Sequence, residues 1–352
     1  MKLTFGTISV TDRAKALAMQ ALDDKRLSCG RLVLEFEREF AKLLGVDYAV
    51  SVGTGTDADA LALAVVHDLG ANPGDEVIVP ALSFVATGNA VLHARLTPVF
   101  VDVRRDTLNI DPARIEAAIT EKTRAIMPVH LMGKPAAMDE IMAIAERHNL
   151  VVVEDAAEAH GMLYKGRPAG TIGHMGAFSL YVAHIISAVE GGMITTGDER
   201  YAEIIRSLRS HGRACSCVTC TLSSTQTYCA KRFDPETGED TRFTFPRIGY
   251  SCKMNELEAA VGLGTLDLYH HIVKTRHENL KYVLDRFDRF APYLTTLREE
   301  EWEFIGPHAV PVVVGPEATF TRVQLTNYLE RNGVETRNLF QSMPTQCPGF
   351  AY

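Results

Sequence analysis

Several stretches of the chain hold residues whose types and order suit a flat, phosphorylated ligand, and one holds residues suited to a metal. Gly53-Thr54-Gly55-Thr56 lies between an apolar run and an Ala/Leu-rich helical pattern. Backbone N–H groups and hydroxyls there can hold a phosphate at a helix N-terminus; the plainer reading is an N-cap at a strand–helix turn. Asp155 follows Val151-Val152-Val153-Glu154. A carboxylate at such a strand end can keep a pyridine nitrogen protonated, or be a solvated loop acid. Phe84, just past the run ending at Pro80, can stack on a flat ring or belong to the core. Cys215, Cys217, Cys220 and Cys229 form C-x-C-x2-C-x8-C. Four thiolates so close in sequence suit zinc or an iron–sulfur cluster, though the spacing is not that of a zinc ribbon; free thiols in a loop are the alternative.

The elements that must position these residues follow a simple rhythm. Helical patterns at Phe36 to Leu44, Asp57 to Leu69, Ala86 to Ala94, Pro112 to Ile119 and Met138 to His148 alternate with short apolar runs. The runs are Tyr48 to Val52, Glu76 to Pro80, Pro98 to Val103, Ala125 to Val129 and Leu150 to Glu154. This alternation predicts an α/β fold with a mostly parallel central sheet covered by helices. Ligands then collect at the carboxyl ends of the strands, in the loops after Val52, Pro80, Val129 and Val153. Residues 208–250 break the rhythm with Cys, Ser, Thr and Arg and the turn signal Asp234-Pro235-Glu236-Thr237-Gly238. A long helical pattern runs from Asn255 to Phe287, followed by a strand at Ala309 to Val314 and a helix at Arg322 to Asn332.

Composition sets the outer bounds. The chain has 352 residues, 46% hydrophobic and 23% charged, which at ~150 residues per domain gives two domains. We expect a large cofactor-binding domain over residues 1–254, with a Cys-rich insertion at about 208–248, and a small C-terminal α+β domain over 255–352. A net charge of −8 argues against nucleic-acid and anionic-membrane partners, which need a basic face. The opening Met1-Lys2-Leu3-Thr4-Phe5-Gly6 has no apolar signal segment, and no apolar run nears the ~18 residues of a membrane span. Seven cysteines, an odd number, suit a reducing compartment, so the expected location is cytoplasmic.

Taken in order, the motifs are more specific than any one of them. Gly53-Thr54-Gly55-Thr56, Pro80-Ala81-Leu82-Ser83-Phe84, Pro128-Val129-His130-Leu131-Met132-Gly133 and Glu154-Asp155-Ala156-Ala157-Glu158-Ala159-His160-Gly161 are followed by Phe178-Ser179, Glu190-Gly191-Gly192 and Gly249-Tyr250. From about residue 20 onward the chain resembles the DegT-type nucleotide-sugar aminotransferases, which are fold-type I pyridoxal phosphate (PLP) enzymes. The resemblance implies that Gly55, Thr56 and Ser179 bind the cofactor phosphate and that Phe84 stacks on its ring. Asp155 would pair with the pyridinium nitrogen and Glu158 would lie near the ring hydroxyl. An Asn after the Gly-Tyr pair reaches the partner subunit's phosphate in the family; Ser251 stands there here, which weakens that contact. Arg337 matches an arginine that looks toward a substrate carboxylate or phosphate, and the shared site implies a homodimer.

One family residue is missing. The position six residues before Glu190 holds the cofactor-binding lysine in the family's aminotransferases, and here it is His184. Imidazole cannot form the covalent link to pyridoxal that an amine forms, so the expected cofactor is held non-covalently, most usefully as pyridoxamine phosphate (PMP). The nearest lysine, Lys165, reads as part of a turn. A base near neutral pKa suits proton removal at the cofactor methylene and protonation of a departing hydroxyl. The resembling branch is the sugar 3-dehydratases that carry histidine at this position. That implies a PMP/PLP-dependent 3-dehydratase of a nucleotide-linked 4-keto-6-deoxyhexose, in deoxysugar and polysaccharide biosynthesis. The alternatives are an aminotransferase that dispenses with the lysine, and a silent B6-binding regulatory homologue in which His184 is an ordinary polar residue.

One branch of the 3-dehydratases carries a [2Fe–2S] cluster, with a C-x-C pair in this segment and a later Cys before a Lys-Arg-Phe string, as in Cys229-Ala230-Lys231-Arg232-Phe233. Its fourth ligand comes from a region that here reads Ala156-Ala157, so Cys220 would have to replace it. A cluster implies an NAD(P)H-dependent reductase as electron donor; without one, glutamate regenerates PMP. Cys29, Cys252 and Cys347 read as structural. The chain ends soon after Pro348-Gly349-Phe350-Ala351-Tyr352, where related enzymes continue, so a truncated form is expected.

Overall fold

In a computed structural model of the chain all residues are described except 1, 2, 5, 7, 216, 218, 219, 225, 226, 341–343 and 352. The N-terminal reading at Met1, Lys2 and Phe5, parts of the Cys-rich insertion and Tyr352 therefore lie outside the described residues.

Helices α1 (Asp12–Asp23) and α2 (Arg31–Leu44) lead into β1 (Tyr48–Val52). Then α3 (Gly55–Ala64), β2 (Glu76–Pro80), α4 (Val85–His93), β3 (Thr97–Val101), α5 (Pro112–Ala118), β4 (Thr123–Ile126), α6 (Met138–His148) and β5 (Val151–Asp155) follow. The short strands β6 (Leu163–Tyr164) and β7 (Arg167–Pro168) form a hairpin before β8 (Met175–Ser179) and β9 (Gly192–Thr196). Helices α7 (Glu199–Leu208), α8 (Thr221–Ser224), α9 (Glu256–Leu266) and α10 (Tyr269–Phe287) come next. The strands β10 (Leu294–Thr295), β11 (Glu303–Phe304) and β12 (Val313–Val314) and helix α11 (Arg322–Arg331) follow them.

The central sheet has seven strands in the order β1-β9-β8-β5-β4-β2-β3. The pairs from β8 through β5, β4 and β2 to β3 are parallel, whereas β9 runs antiparallel to both β8 and β1. The carboxyl ends of β1, β5 and β8 therefore share one edge. Alternation along the strands divides the apolar side chains between two cores. Val77 and Val79 pack with α3 and α4 on one face, while Ile78 packs with Phe36 and Phe40 of α2 on the other. Helix α2 carries its buried residues at Leu32, Val33, Phe36, Phe40, Ala41 and Leu44, one stripe at helical spacing, and ends on Gly45 in the left-handed region (φ 68°). Helix α3 is buried from Ala58 through Ala64, as a helix lying under other elements must be.

Several boundaries differ from the sequence expectation. The predicted strand at Ala125 to Val129 is found at Thr123–Ile126, because Pro128 has no N–H to give the ladder. Val129 keeps only an isolated bridge to Asp155. The predicted strand at Ala309 to Val314 shrinks to Val313–Val314, with Pro311 again interrupting it. The helical pattern from Asn255 to Phe287 is two helices. Asn255 and Glu258 form a reciprocal capping box that starts α9, which is buried through Gly262 against Phe36 and Gly264 against Ala14. Helix α9 stops at Leu266 and α10 begins at Tyr269, whose ring stays in the same core, while of the rest of the helix only Leu280, Leu284 and Phe287 are buried. Among the described residues no helix is long and apolar enough to cross a membrane.

Candidate active site

The first part of the site forms where β1 gives way to α3. Gly53 donates its N–H to the Cys252 carbonyl at 2.8 Å, tying this turn to the segment that contains Ser251. Thr54 caps α3, its Oγ1 accepting from the Asp57 N–H at 3.0 Å and donating to Asp57 Oδ2 at 2.9 Å. Gly55 and Thr56 occupy the first turn, where backbone N–H groups lack helical partners and the helix dipole is positive. A Cβ on Gly55 would stand 2.6 Å from Ser179 Cβ, so the serine at the end of β8 lies directly against that turn. Gly55, Thr56 and Ser179 are thus brought together. Ser251 is exposed and bridges to Ser210.

The second part lies on β5. Asp155 is its last residue, buried and paired in register with Ala177 of β8. Its Oδ2 accepts from Thr87 Oγ1 at 2.8 Å and its Oδ1 from the Ala157 N–H at 3.2 Å. Burial pushes the Asp155 pKa up, and these two hydrogen bonds pull it back. Glu154 points to the opposite face and is used up structurally. It accepts from the N–H groups of Gly170, Ile172 and Gly173 at 2.9, 2.7 and 2.6 Å and from His130 Nε2 at 2.9 Å. His130 Nδ1 accepts from the Ala136 N–H at 3.0 Å, so its proton is on Nε2. Phe84 is the N-cap of α4 and is 58% exposed, with its ring 5.9 Å from that of Phe340. Thr87 was not singled out in the sequence; its position one turn beyond Phe84 is the only local signal.

His184 lies in the connection between β8 and β9, its N–H bonded to the Tyr181 carbonyl at 3.0 Å. The side chain is half-buried; Nδ1 is sealed from solvent without a partner, which leaves Nε2 as the accessible nitrogen. The rings of His308, His160 and Tyr181 lie 4.9, 6.1 and 6.4 Å from it. Arg276 of α10 donates to the neighbouring Ala183 carbonyl at 3.3 Å. Desolvation holds the His184 pKa well below 6.5, with further lowering from His308, His160 and Arg276, so the imidazole is neutral. His160 bonds through Nε2 to the Ser179 carbonyl at 2.8 Å, and burial lowers its pKa to about 4. Burial likewise lowers His308 to about 4. Glu158 moves the other way, to about 7, because desolvation outweighs the bond its Oε2 accepts from the Met132 N–H at 2.8 Å.

Sequence reasoning missed His308, Arg276 and Asp59. His308 is delivered by a backbone crossing at which a Cβ on Gly133 (φ 80°) would stand 1.9 Å from the Gly306 carbonyl oxygen, and no local pattern marks it. Asp59 is buried in α3 with Oδ1 unpartnered, and burial together with Asp155 raises its pKa well above 3.8. Lys165 stays on the β6–β7 turn, paired with Asp139 at 2.5 Å. Arg337 pairs with Glu335 at 2.6 Å, three residues before the Phe340 that touches Phe84.

The metal reading of Cys215, Cys217, Cys220 and Cys229 gains no support. All four are half-buried thiols, and among the described residues no three His, Cys, Asp or Glu side chains are placed to hold a metal. Local spacing brings Cys215 against Cys217, with Cys220 in electrostatic reach, while Cys229 follows on the far side of α8. The position that supplies a fourth ligand in the iron–sulfur branch holds Ala156 and Ala157.

Residues 9–351 match the DegT/DnrJ/EryC1/StrS aminotransferase family. The chain belongs to that family. Within the family it is 37% identical to dTDP-4-dehydro-2,6-dideoxy-D-glucose 3-dehydratase of Saccharopolyspora spinosa, over 98% of this chain and 76% of that one. It is 36% identical to GDP-perosamine synthase of Caulobacter vibrioides, over 91% and 79%. The solved structure of E. coli GDP-4-keto-6-deoxy-D-mannose-3-dehydratase with bound hydrated PLP superimposes with a TM-score of 0.84, at 30% identity, over 97% of this chain and 87% of that one. The chain is therefore an enzyme with the fold-type I architecture, of the DegT/DnrJ/EryC1/StrS group of PLP-dependent nucleotide-sugar aminotransferases and 3-dehydratases. Its residues fit such a cofactor: a glycine cradle closed by a serine, a buried carboxylate at a strand end, and an exposed aromatic ring beside them.

Proposed function

We propose that this family member is a PMP/PLP-dependent 3-dehydratase of a nucleotide-linked 4-keto-6-deoxyhexose. The observation that carries the proposal is His184, a neutral imidazole at the position where an aminotransferase needs an amine, in a chain that brings Gly55 against Ser179 and buries Asp155 at a strand end. Gly55, Thr56 and Ser179 hold the cofactor phosphate, Phe84 covers the ring, Asp155 pairs with the ring nitrogen and Glu158 lies by the ring hydroxyl. Arg337 faces an anionic group of the substrate. Pyridoxamine phosphate, when bound, supplies an amine for the 4-keto carbon and a ring that takes up electrons.

His184 provides the acid–base chemistry. It would accept at Nε2 the proton given up by the methylene of the bound cofactor, whose electron pair would pass to C3, and would deliver that proton to the departing 3-hydroxyl oxygen, which leaves as water. The imidazole ends neutral, as it began. Its lowered pKa keeps the base form available throughout the neutral range. In this reading glutamate replenishes the amino group; iron analysis with the absorption spectrum of purified protein decides whether the four cysteines bring in an NAD(P)H-dependent reductase instead.

The site is read as shared between two copies of the chain, with Ser251 reaching the partner's phosphate. Supporting this, the excursion around Ser251 exposes Tyr228 (78%), Phe243 (70%) and Ile248 (80%), an apolar surface of the kind that marks an interface. Light scattering gives the test, with Ile248→Asp expected to shift a dimer toward monomer.

The function is tested by incubating purified protein with PMP, glutamate and GDP- or dTDP-linked 4-keto-6-deoxyhexoses and weighing the products. A 3-deoxy product that disappears in His184→Ala is expected. A 4-amino product would establish the aminotransferase reading, and failure to bind PMP or PLP would sink both.

A further inference from the structure

We propose that His308 and Glu158 form a hydrogen-bonded line with His184 that fixes its tautomer. His184 Nδ1–H donates to His308, His308 Nε2–H donates to Glu158, and His184 Nε2 is left as the bare, reactive nitrogen. The inference rests on the reading of His184 as the acid–base group and assigns the residues that orient it.

The starting point is the sealed Nδ1 of His184. A neutral imidazole carries one N–H and one lone pair, and a buried polar atom without a partner is unfavourable. Four polar side chains surround the ring. Arg276 offers only donors and already bonds the Ala183 carbonyl. His160 has committed Nε2 to the Ser179 carbonyl, and its ring is 6.1 Å away. Tyr181 meets His184 edge-on at 6.4 Å. His308 lies nearest, with ring centroids 4.9 Å apart and planes 36° from each other, close enough for a small ring rotation to make an N–H···N bond.

The far side of His308 sets the direction. Its Nε2 is 3.9 Å from Glu158 Oε1, a separation that must close by about 1 Å to become a hydrogen bond, and both side chains are mostly buried. One peptide holds the two in place: the Met132 N–H donates to Glu158 Oε2 at 2.8 Å, and the Met132 carbonyl accepts from the His308 N–H at 3.3 Å. Once Glu158 is ionised, above about pH 7, His308 Nε2–H faces a carboxylate, the other nitrogen of His308 is an acceptor, and the hydrogen on His184 then lies on Nδ1. The same logic orients the base of a catalytic triad, where a third group holds the imidazole in its working tautomer. When His184 gains a proton, His160, His308 and Arg276 all oppose the new charge, and Glu158 supplies the compensating one through His308. His308 is therefore a positioning residue.

Nitrogen NMR of the cofactor-free protein with labelled histidine reads the tautomer directly. At about pH 8, where Glu158 is ionised, the wild type should show His184 protonated on Nδ1 and bare on Nε2, and His308→Phe should lose that preference. In turnover, His308→Phe should lower kcat roughly a hundredfold with little change in KM or in the cofactor spectrum, and His308→Asn, which keeps a polar partner, should recover part of the loss. A His184 proton on Nε2 in the wild type, or an unchanged tautomer and kcat in His308→Phe, would overturn the proposal. If His184→Ala itself retains full dehydration activity, it is the acid–base reading that fails, a different outcome from an inert His308→Phe beside an inactive His184→Ala.

Discussion

Gly55 and Ser179 approach so closely that a Cβ built on the glycine would lie 2.6 Å from that of the serine. The two residues come from different elements, the first turn of α3 and the end of β8, and their contact leaves no room for even a methyl group. Gly55→Ala must push the helix start and the serine apart. We expect the affinity for PMP and for PLP to fall at least about tenfold, because a misplaced donor loses a charge-assisted bond. Fluorescence titration of the cofactor-free protein measures it.

Thr87 holds Asp155 from α4 through a 2.8 Å bond. Thr87→Val keeps the shape and removes the donor. The Asp155 pKa, already raised by burial, rises further, which in the proposed site weakens its pairing with a protonated ring nitrogen. The expected result is a kcat/KM about tenfold lower, which corresponds to loss of one hydrogen bond to a charged group. An unchanged kcat/KM would show that Thr87 is only packing.

Glu158 makes stability depend on pH. The folded chain keeps its proton up to about pH 7, while the unfolded chain releases it near 4.5. Between those values the native state binds more protons, so this contribution is complete below 4.5 and is lost as pH rises through 7. At about pH 8 the buried carboxylate costs on the order of 3 kcal/mol. Glu158→Gln should therefore melt higher than wild type at that pH and alike near 4.5, in thermal unfolding of the cofactor-free protein.

Arg209 and Glu37 form a buried pair at 2.6 Å that also takes in the Ser51 carbonyl, joining α2, β1 and the end of α7. Arg209→Met leaves Glu37 charged without its cation, held only by the Ser51 N–H and hydroxyl, which should cost about 3–5 kcal/mol in denaturant unfolding. Adding Glu37→Gln should return part of that loss, since no single charge then remains buried.

Much of this architecture was legible because parallel strands buried on both faces read as short apolar runs, and Tyr48–Val52 and Glu76–Pro80 appear as expected. The strand ends were less legible: Pro128 stops β4 short, and β3 and β5 are shifted by one or two residues from the apolar runs at Pro98 to Val103 and Leu150 to Glu154. On the site, Asp155 and Ser179 were marked by motif, and His184 by the absence of a lysine. Thr87 and His308 left no such trace. Each gains its proposed role only by meeting a residue far away in sequence, Thr87 with Asp155 and His308 with His184. Those meetings are set by the packing of α4 and by the Gly133–Gly306 crossing, neither of which has a periodic signature.

Glu154 and Asp155 are neighbours on one strand, yet the first is gripped by four donors on one face and the second opens into the cleft on the other. The grip on Glu154 works as an indexing pin. If β5 slid by one position, the shorter aspartate would fall short of the four donors, and a longer glutamate would crowd the place of Asp155 beside Thr87. The register of β5 is thus pinned from the face opposite Asp155, by a residue the proposed site does not use.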